Sequence, residues 1–263
     1  MDDGRWTNVF QHRPSPYASP VSRIAEVLFA TAAGAAIAFL AVSALGADTP
    51  LAAAAAVPAG LNGSFGGARR IYAWRTFGGW GAFVLDSSWA LVSTTLGVLV
   101  NFANTLNRRS GFGSEFSVRR NRHVFARGFA LKRGFANTQG PVISNATCGR
   151  GDDMASHRNL IERHEGLHVW QQRWFGPLHP LVYVVWGVLG AIVGVIYGAL
   201  SRKRRVAKVR IGKLVETAAY YDNPFEYWAY KNDDRWKTNS AQPAMKWGSF
   251  RWERRAETTA KKP

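Results

Sequence analysis

Residues 24–46 (IAEVLFATAAGAAIAFLAVSALG) run for 23 positions with a single charge, Glu26, near the start. A helix of that length reaches across a bilayer core of about 30 Å. A helix apolar on all sides must be buried in protein or in lipid, so this run constrains the fold more than any other feature. A cleaved secretory leader is the competing reading, because ALGA resembles a small-residue cleavage site. The polar segment ahead of the run is long, and 23 residues exceed the usual leader core of about 7–15, which favours an uncleaved anchor.

Two further apolar stretches follow. Residues 77–100 (FGGWGAFVLDSSWALVSTTLGVLV) include Asp86 among several hydroxyl side chains. A carboxylate inside a membrane helix faces protein or water, so this second expected span should pack against a partner. Residues 181–200 (LVYVVWGVLGAIVGVIYGAL) carry no charge, and Gly190, Gly194 and Gly198 recur at four-residue spacing, which permits close helix packing. Lys and Arg number three in 1–23, three in 47–78, twelve in 105–180 and sixteen in 201–263. Both rich segments favour the cytoplasm. Twenty residues cannot cross twice, so 181–200 is expected to dip in and return, or to lie against the first two helices. The resulting topology is a multi-pass protein of the inner (plasma) membrane, N-terminus inside, two spans, bulk facing the cytoplasm.

The expected organisation is a flexible arm over 1–20, membrane helices over 21–105, and a short β-rich segment over 106–150. Metal-site helices with the apolar segment 181–200 follow over 151–236, then a basic tail over 237–263. Within these, 47–66 is Ala/Gly/Pro-rich and reads as a loop. Residues 112–146 read as two or three short antiparallel strands. Residues 153–175 read as a helix capped by Ser156 or Asp153 and stopped by Gly176-Pro177, and 214–236 as a helix interrupted at Asp222-Asn223-Pro224. The fold class is therefore membrane-associated and mainly α with a small antiparallel β region (α+β). It has two transmembrane helices plus a re-entrant or packed apolar helix. A single cysteine, Cys148, excludes an internal disulfide framework and a CxxC zinc site, and it has no neighbouring base in sequence.

His164-Glu165-Gly166-Leu167-His168 is an HExxH pattern. Histidines four apart on a helix project to one side, where two imidazoles can grip one Zn²⁺ at about 2.0–2.1 Å. The glutamate between them can take a proton from a metal-bound water, so Glu165 is the candidate catalytic base. A catalytic zinc needs a third protein ligand. Glu226 is the first choice, in the opening turn of a helix that begins at Pro224; Asn223 and Glu226 also fit a capping box. Glu216 is the rival, ten residues earlier. His179 lies eleven after His168, too far for the short HExxHxxGxxH spacing. His157 lies seven before His164 on the same face and reads as a supporting or solvated residue. Gln171, one turn past His168, can reach a partner of the site or remain a surface glutamine. Asp86 either orients a zinc-bound histidine or pairs with an arginine.

The stretch RHEGLHVWQQRWFGPLHPLVYVV resembles a bacterial family of membrane-associated zinc peptidases. Its pattern is HExxH, a Gln three residues on, Gly-Pro-Leu, an apolar segment, then a helix with a Glu-x-x-Ala core. Here those are His164 to His168, Gln171, Gly176-Pro177-Leu178 and Glu226-Tyr227-Trp228-Ala229. An upstream Leu-Asp-x-Thr-Trp-Ser-x-x-Asn-Thr block is similar to Leu85-Asp86-Ser87-Ser88-Trp89-Ala90 with Ser93-Thr94. Ser88, Ala90 and Ser93 depart from it. The resemblance covers roughly residues 80–230. It implies a gluzincin-like site of two histidines, a distant glutamate ligand at Glu226 and a glutamate base at Glu165.

The leading expectation is a zinc-dependent membrane metallopeptidase acting on an unidentified peptide or protein. Tyr220, Tyr221 and His157 are candidate oxyanion donors. The alternative is a non-catalytic membrane scaffold or structural metal-binding protein. The formal charge of +17 allows nucleic acid as a partner. The basic residues flank apolar runs and follow no nucleic-acid reader motif, so an anionic lipid bilayer is the expected partner, at about 1 kcal/mol per juxtamembrane Lys or Arg.

Overall fold

The computed structural model describes residues 20–132, 134–147, 154–203 and 211–233. The expected arm over 1–20 and tail over 237–263, together with Asp153 and Cys148, fall essentially outside them. The chain divides into two compact units between Pro177 and Leu178.

The first unit opens with α1 (Pro20–Ala44) and α2 (Thr49–Arg69). Helix α2 replaces the loop expected over 47–66. Asp48 caps it by accepting from Leu51 N at 3.0 Å, and a proline sits in its first turn. Its glycines weaken it as an isolated helix by about 1 kcal/mol each relative to alanine. They also let it lie directly on α1. A Cβ on Gly63 would fall 2.1 Å from Ala30 O, and one on Gly67 2.7 Å from Val27 Cα. Contact between the two backbones stabilises what the local sequence does not.

Residues 77–100, expected as one span, form two helices, α3 (Phe77–Asp86) and α4 (Leu91–Leu106), bent by 88° at the break. The break follows Asp86, which is buried against Arg173 and cannot lie in a lipid-facing turn. Helix α4 is inside-out by the standards of a soluble protein. Ser93, Thr94, Gly97, Asn101 and Asn104 are buried, whereas Val92, Leu96, Leu99, Phe102 and Leu106 are exposed.

A short helix α5 (Ser114–Ser117) leads into a three-stranded sheet of order β1-β3-β2. The strands are β1 (His123–Val124), β2 (Asn137–Gln139) and β3 (Val142–Ser144). The sheet is mixed, not antiparallel as expected: β2 runs antiparallel to β3, but β1 runs parallel to it, pairing His123 with Val142. The β2–β3 turn forms a hairpin, and β1 reaches the other side of β3 from a distance in sequence, where direction is not fixed by a turn. Phe116, Val124, Ile143, Ile161 and Val169 share one apolar cluster, so the sheet and the HExxH helix have a common core. That helix runs unbroken from Met154 to Phe175 as α6 (Met154–Asn159), a π-helical segment (Leu160–Glu165) and α7 (Gly166–Phe175). It already includes Ser156, so Ser156 is not its cap.

The second unit begins with α8 (Leu178–Lys203), one continuous helix long and apolar enough to cross a membrane. It does not dip and return. Of the two roles expected of 181–200, dipping in and returning does not suit one unbroken helix, and the single span expected of 77–100 is bent into two helices. Among the described residues, the single helices long and apolar enough to cross a membrane are Val21–Ala44 and Leu178–Leu200, and the bent pair over 77–106 makes a third if it is one span. The glycine stripe of α8 seats the next helix: a Cβ on Gly190 would lie 2.4 Å from Ala218 O, and one on Gly194 2.7 Å from Val215 Cα. That next helix comprises α9 (Ile211–Glu216) and a π turn (Thr217–Tyr221). A break at Asp222-Asn223, where it was expected, precedes α10 (Pro224–Asn232).

Candidate metal centre

His164 and His168 belong to the first unit and Glu226 to the second. The 3.6-residue repeat places the two imidazoles one above the other, with ring centroids 5.0 Å apart and planes at 78°. Both are buried, as is Glu165. His164 and Glu165 close the π-helical segment, and His168 lies in α7. Single π turns within α-helices cluster at functional positions, and nothing in the residue pattern announces this one.

Gln171 decides how His168 can bind. Its Oε1 lies 2.8 Å from His168 Nδ1. A carbonyl oxygen only accepts, so with Oε1 as its partner Nδ1 donates, and in the neutral ring Nε2 then keeps the lone pair. That is the tautomer a metal requires of an imidazole held from behind. Gln171 is buried against His168 and is not a surface glutamine.

Glu165 is held from the sheet. Thr138, in β2, donates its hydroxyl to Glu165 Oε2 at 2.6 Å. The strand is in turn fixed to α7 by Gln172, whose Oε1 accepts from Gly140 N at 2.6 Å and whose Nε2 donates to Thr138 O at 3.3 Å. This side-chain amide stands where the next strand's peptide would pair. Sequence reasoning missed Thr138 and Gln172, because which strand meets which helix face is a tertiary outcome.

In the second unit Asn223 Oδ1 accepts from Phe225 N, capping α10. The capping box is not closed in its usual way: Asn223 N–H goes to Tyr220 O, and Glu226 Oε1 accepts the Tyr183 hydroxyl at 3.0 Å. Glu226 is buried, and the phenol holds its carboxylate in one orientation. The rivals stand differently. Glu216 is only half-buried at the end of α9. His179 packs at a tilt against Phe225, with centroids 4.4 Å apart and planes at 31°. Tyr220 and Tyr221 pack together beside Tyr230.

Two other residues take their structural roles. His157 Nε2 lies 3.1 Å from Thr147 O and is buried rather than solvated. Asp86 receives two bonds from Arg173, Nε to Oδ1 and Nη2 to Oδ2, each 2.8 Å. It pairs with an arginine and orients no histidine of the motif.

Two buried imidazoles and a buried carboxylate are a donor set that could hold a metal ion. Nitrogen and oxygen donors of this kind suit zinc and other divalent first-row metals. The fixed His168 tautomer fits that use. Comparison with known protein families, curated sequences and solved structures finds no match to this chain.

Proposed function

We propose that this protein is a membrane-embedded, zinc-dependent peptidase in which His164, His168 and Glu226 hold the ion and Glu165 is the general base. The observation that carries the reading is the Gln171–His168 bond. It sets a buried imidazole in the metal-binding tautomer, one helical turn from a second buried imidazole, within an HExxH pattern. A zinc ion held there would supply Lewis acidity and lower the pKa of a bound water towards about 7. The chain's own contribution to proton transfer falls to Glu165, which accepts a proton from the attacking water and delivers it to the leaving amine. Thr138 donates to Oε2 and so helps hold the Glu165 carboxylate in place. Tyr183 keeps the Glu226 carboxylate from turning away. The twelve Lys and Arg of 105–180 support a reading in which the bulk of the first unit faces the cytoplasm, beside anionic lipid.

The test is zinc per chain in the full-length protein purified in detergent, together with hydrolysis of a mixed peptide library. Wild type should hold about one zinc, His168→Ala and Glu226→Ala should lose it, and Glu165→Gln should keep it while losing hydrolysis. No metal after zinc is supplied would overturn the site. Zinc bound without hydrolysis of any peptide would favour the structural metal-binding or scaffold reading. Zinc lost in His168→Ala alone would move the third ligand away from Glu226.

A further inference from the structure

We propose that α2 crosses the bilayer antiparallel to α1, so that the first 75 residues contain a membrane-spanning helical hairpin rather than a single anchor. The argument begins with how closely the two helices touch. Gly34 meets Ala59, Gly60 meets Thr31, Gly63 meets Ala30 and Gly67 meets Val27. Beyond them Arg70 Nε bonds Glu26 Oε2 at 3.2 Å. These contacts hold one antiparallel register from Gly34 and Ala59 down to the base. No lipid or water layer fits between backbones where an added Cβ would lie 2.1 Å from a carbonyl oxygen. Wherever α1 goes, α2 goes too, and α1 is long and apolar enough to span.

Helix α2 meets the demands of that position, although its glycines dilute its hydropathy. It has 21 residues, which at 1.5 Å per residue give about 31 Å, matching a core of about 30 Å. Residues 49–68 contain no charge. Its exposed positions between 51 and 68 are Leu51, Ala53, Ala54, Val57, Leu61 and Ala68, all apolar. Asn62 is buried and donates to the Tyr72 hydroxyl at 2.7 Å, so its amide faces protein rather than lipid. Pro58, which would weaken a helix in water, is tolerated in membrane helices.

The two ends of the hairpin differ in kind. At the base Glu26 gathers Arg70, Arg119 and the indole N–H of Trp74, and Trp74 packs edge-on against Trp80 and Phe29. Charges and tryptophans together mark a membrane–water interface. At the tip Asp48 is the only charge between Glu26 and Arg69. A partly buried ion-pair cluster at one end and a polar turn at the other bracket the apolar length.

The experiment uses single-cysteine variants of the full chain in a Cys148→Ser background, in sealed membrane vesicles, with a membrane-impermeant maleimide. Leu45→Cys reports the turn, with Ala47→Cys as a second probe should the first variant fail to accumulate. Val21→Cys and Arg75→Cys report the base. Positions 21 and 75 should label from one face, and 45 or 47 only from the other. Labelling of the turn and of position 75 from the same face would overturn the proposal. So would release of the protein by carbonate washing with all positions labelled, which would mean that no helix is embedded. Neither result depends on metal binding or on hydrolysis.

Discussion

Removing the Arg173 guanidinium should unfold the first unit at a much lower temperature, by an amount that follows from its partners. Its side chain is 2% exposed and that of Asp86 1%. Besides the two bonds to Asp86, Nη2 donates to Asn121 O at 2.6 Å, and the guanidinium lies over the Trp170 ring. Asp86 Oδ2 also accepts from Tyr72 at 2.9 Å. Arg173→Met leaves a buried carboxylate with one phenol for company, and breaking one side of such a pair costs about 3–5 kcal/mol. At roughly 2–4 °C per kcal/mol for a chain of this size, the midpoint in detergent should fall by about 6–20 °C. Tryptophan fluorescence during a thermal ramp reads this, since Trp170 and Trp174 lie on the same helix. Asp86→Leu alone should cost a similar amount, by stranding the cation. The double variant Arg173→Met/Asp86→Leu removes both charges, so it should recover much of the loss, with a coupling energy of at least about 2 kcal/mol. A fall below about 3 °C for Arg173→Met, or additivity within about 0.5 kcal/mol, would refute the claim that this pair joins the HExxH helix to the end of α3.

Three other perturbations probe separate parts of the molecule. Gln171→Leu removes the acceptor for His168 Nδ1–H and should weaken zinc affinity by about 10–100-fold in a chelator competition; unchanged affinity would contradict the tautomer argument. Burial first, then the Arg69 and Arg173 charges, push the His123 imidazole well below its usual value. As pH falls through about 6.5 the unfolded chain binds a proton that the native ring refuses. Stability therefore falls with acidity, by at most about 1.4 kcal/mol per pH unit from this group, and His123→Gln should flatten that slope between pH 7.5 and 5.5, read as thermal midpoints. Gly63→Val drives a side chain into the α1 backbone and should cost about 1–3 kcal/mol, whereas Gly78→Ala, with open space around it, should be nearly neutral in the same assay.

The parts legible in the sequence are those set within a helical turn or two. The HExxH imidazoles share a face because the repeat is 3.6 residues, whatever else surrounds them. The break at Asp222-Asn223-Pro224 follows from the chemistry of a proline and a capping side chain. The glycines of α8 lie under the helix that contains Ala218, as their four-residue spacing suggested. Where expectation and structure part, the deciding interaction is distant in sequence. Residues 47–66 are rich in glycine and proline and read as a loop, yet 49–69 is helical because Gly63 and Gly67 rest on Ala30 and Val27. A run of apolar residues over 77–100 conceals a break, because hydropathy averaged along the chain does not register that Asp86 must meet Arg173.

Composition and local pattern by themselves determined that this chain has helices able to span a membrane and one helix bearing two imidazoles and a carboxylate. Those properties depend on the length of an apolar run and on the pitch of a helix. The Gln171–His168 bond, three residues apart on one helix, belongs to that local pattern as well, whereas tertiary structure alone decided that Thr138 meets the Glu165 carboxylate and Tyr183 that of Glu226. The physical reason is that a hydrogen-bond partner is chosen by proximity in space. Among many hydroxyls, only packing brings one to within about 3 Å of a given carboxylate.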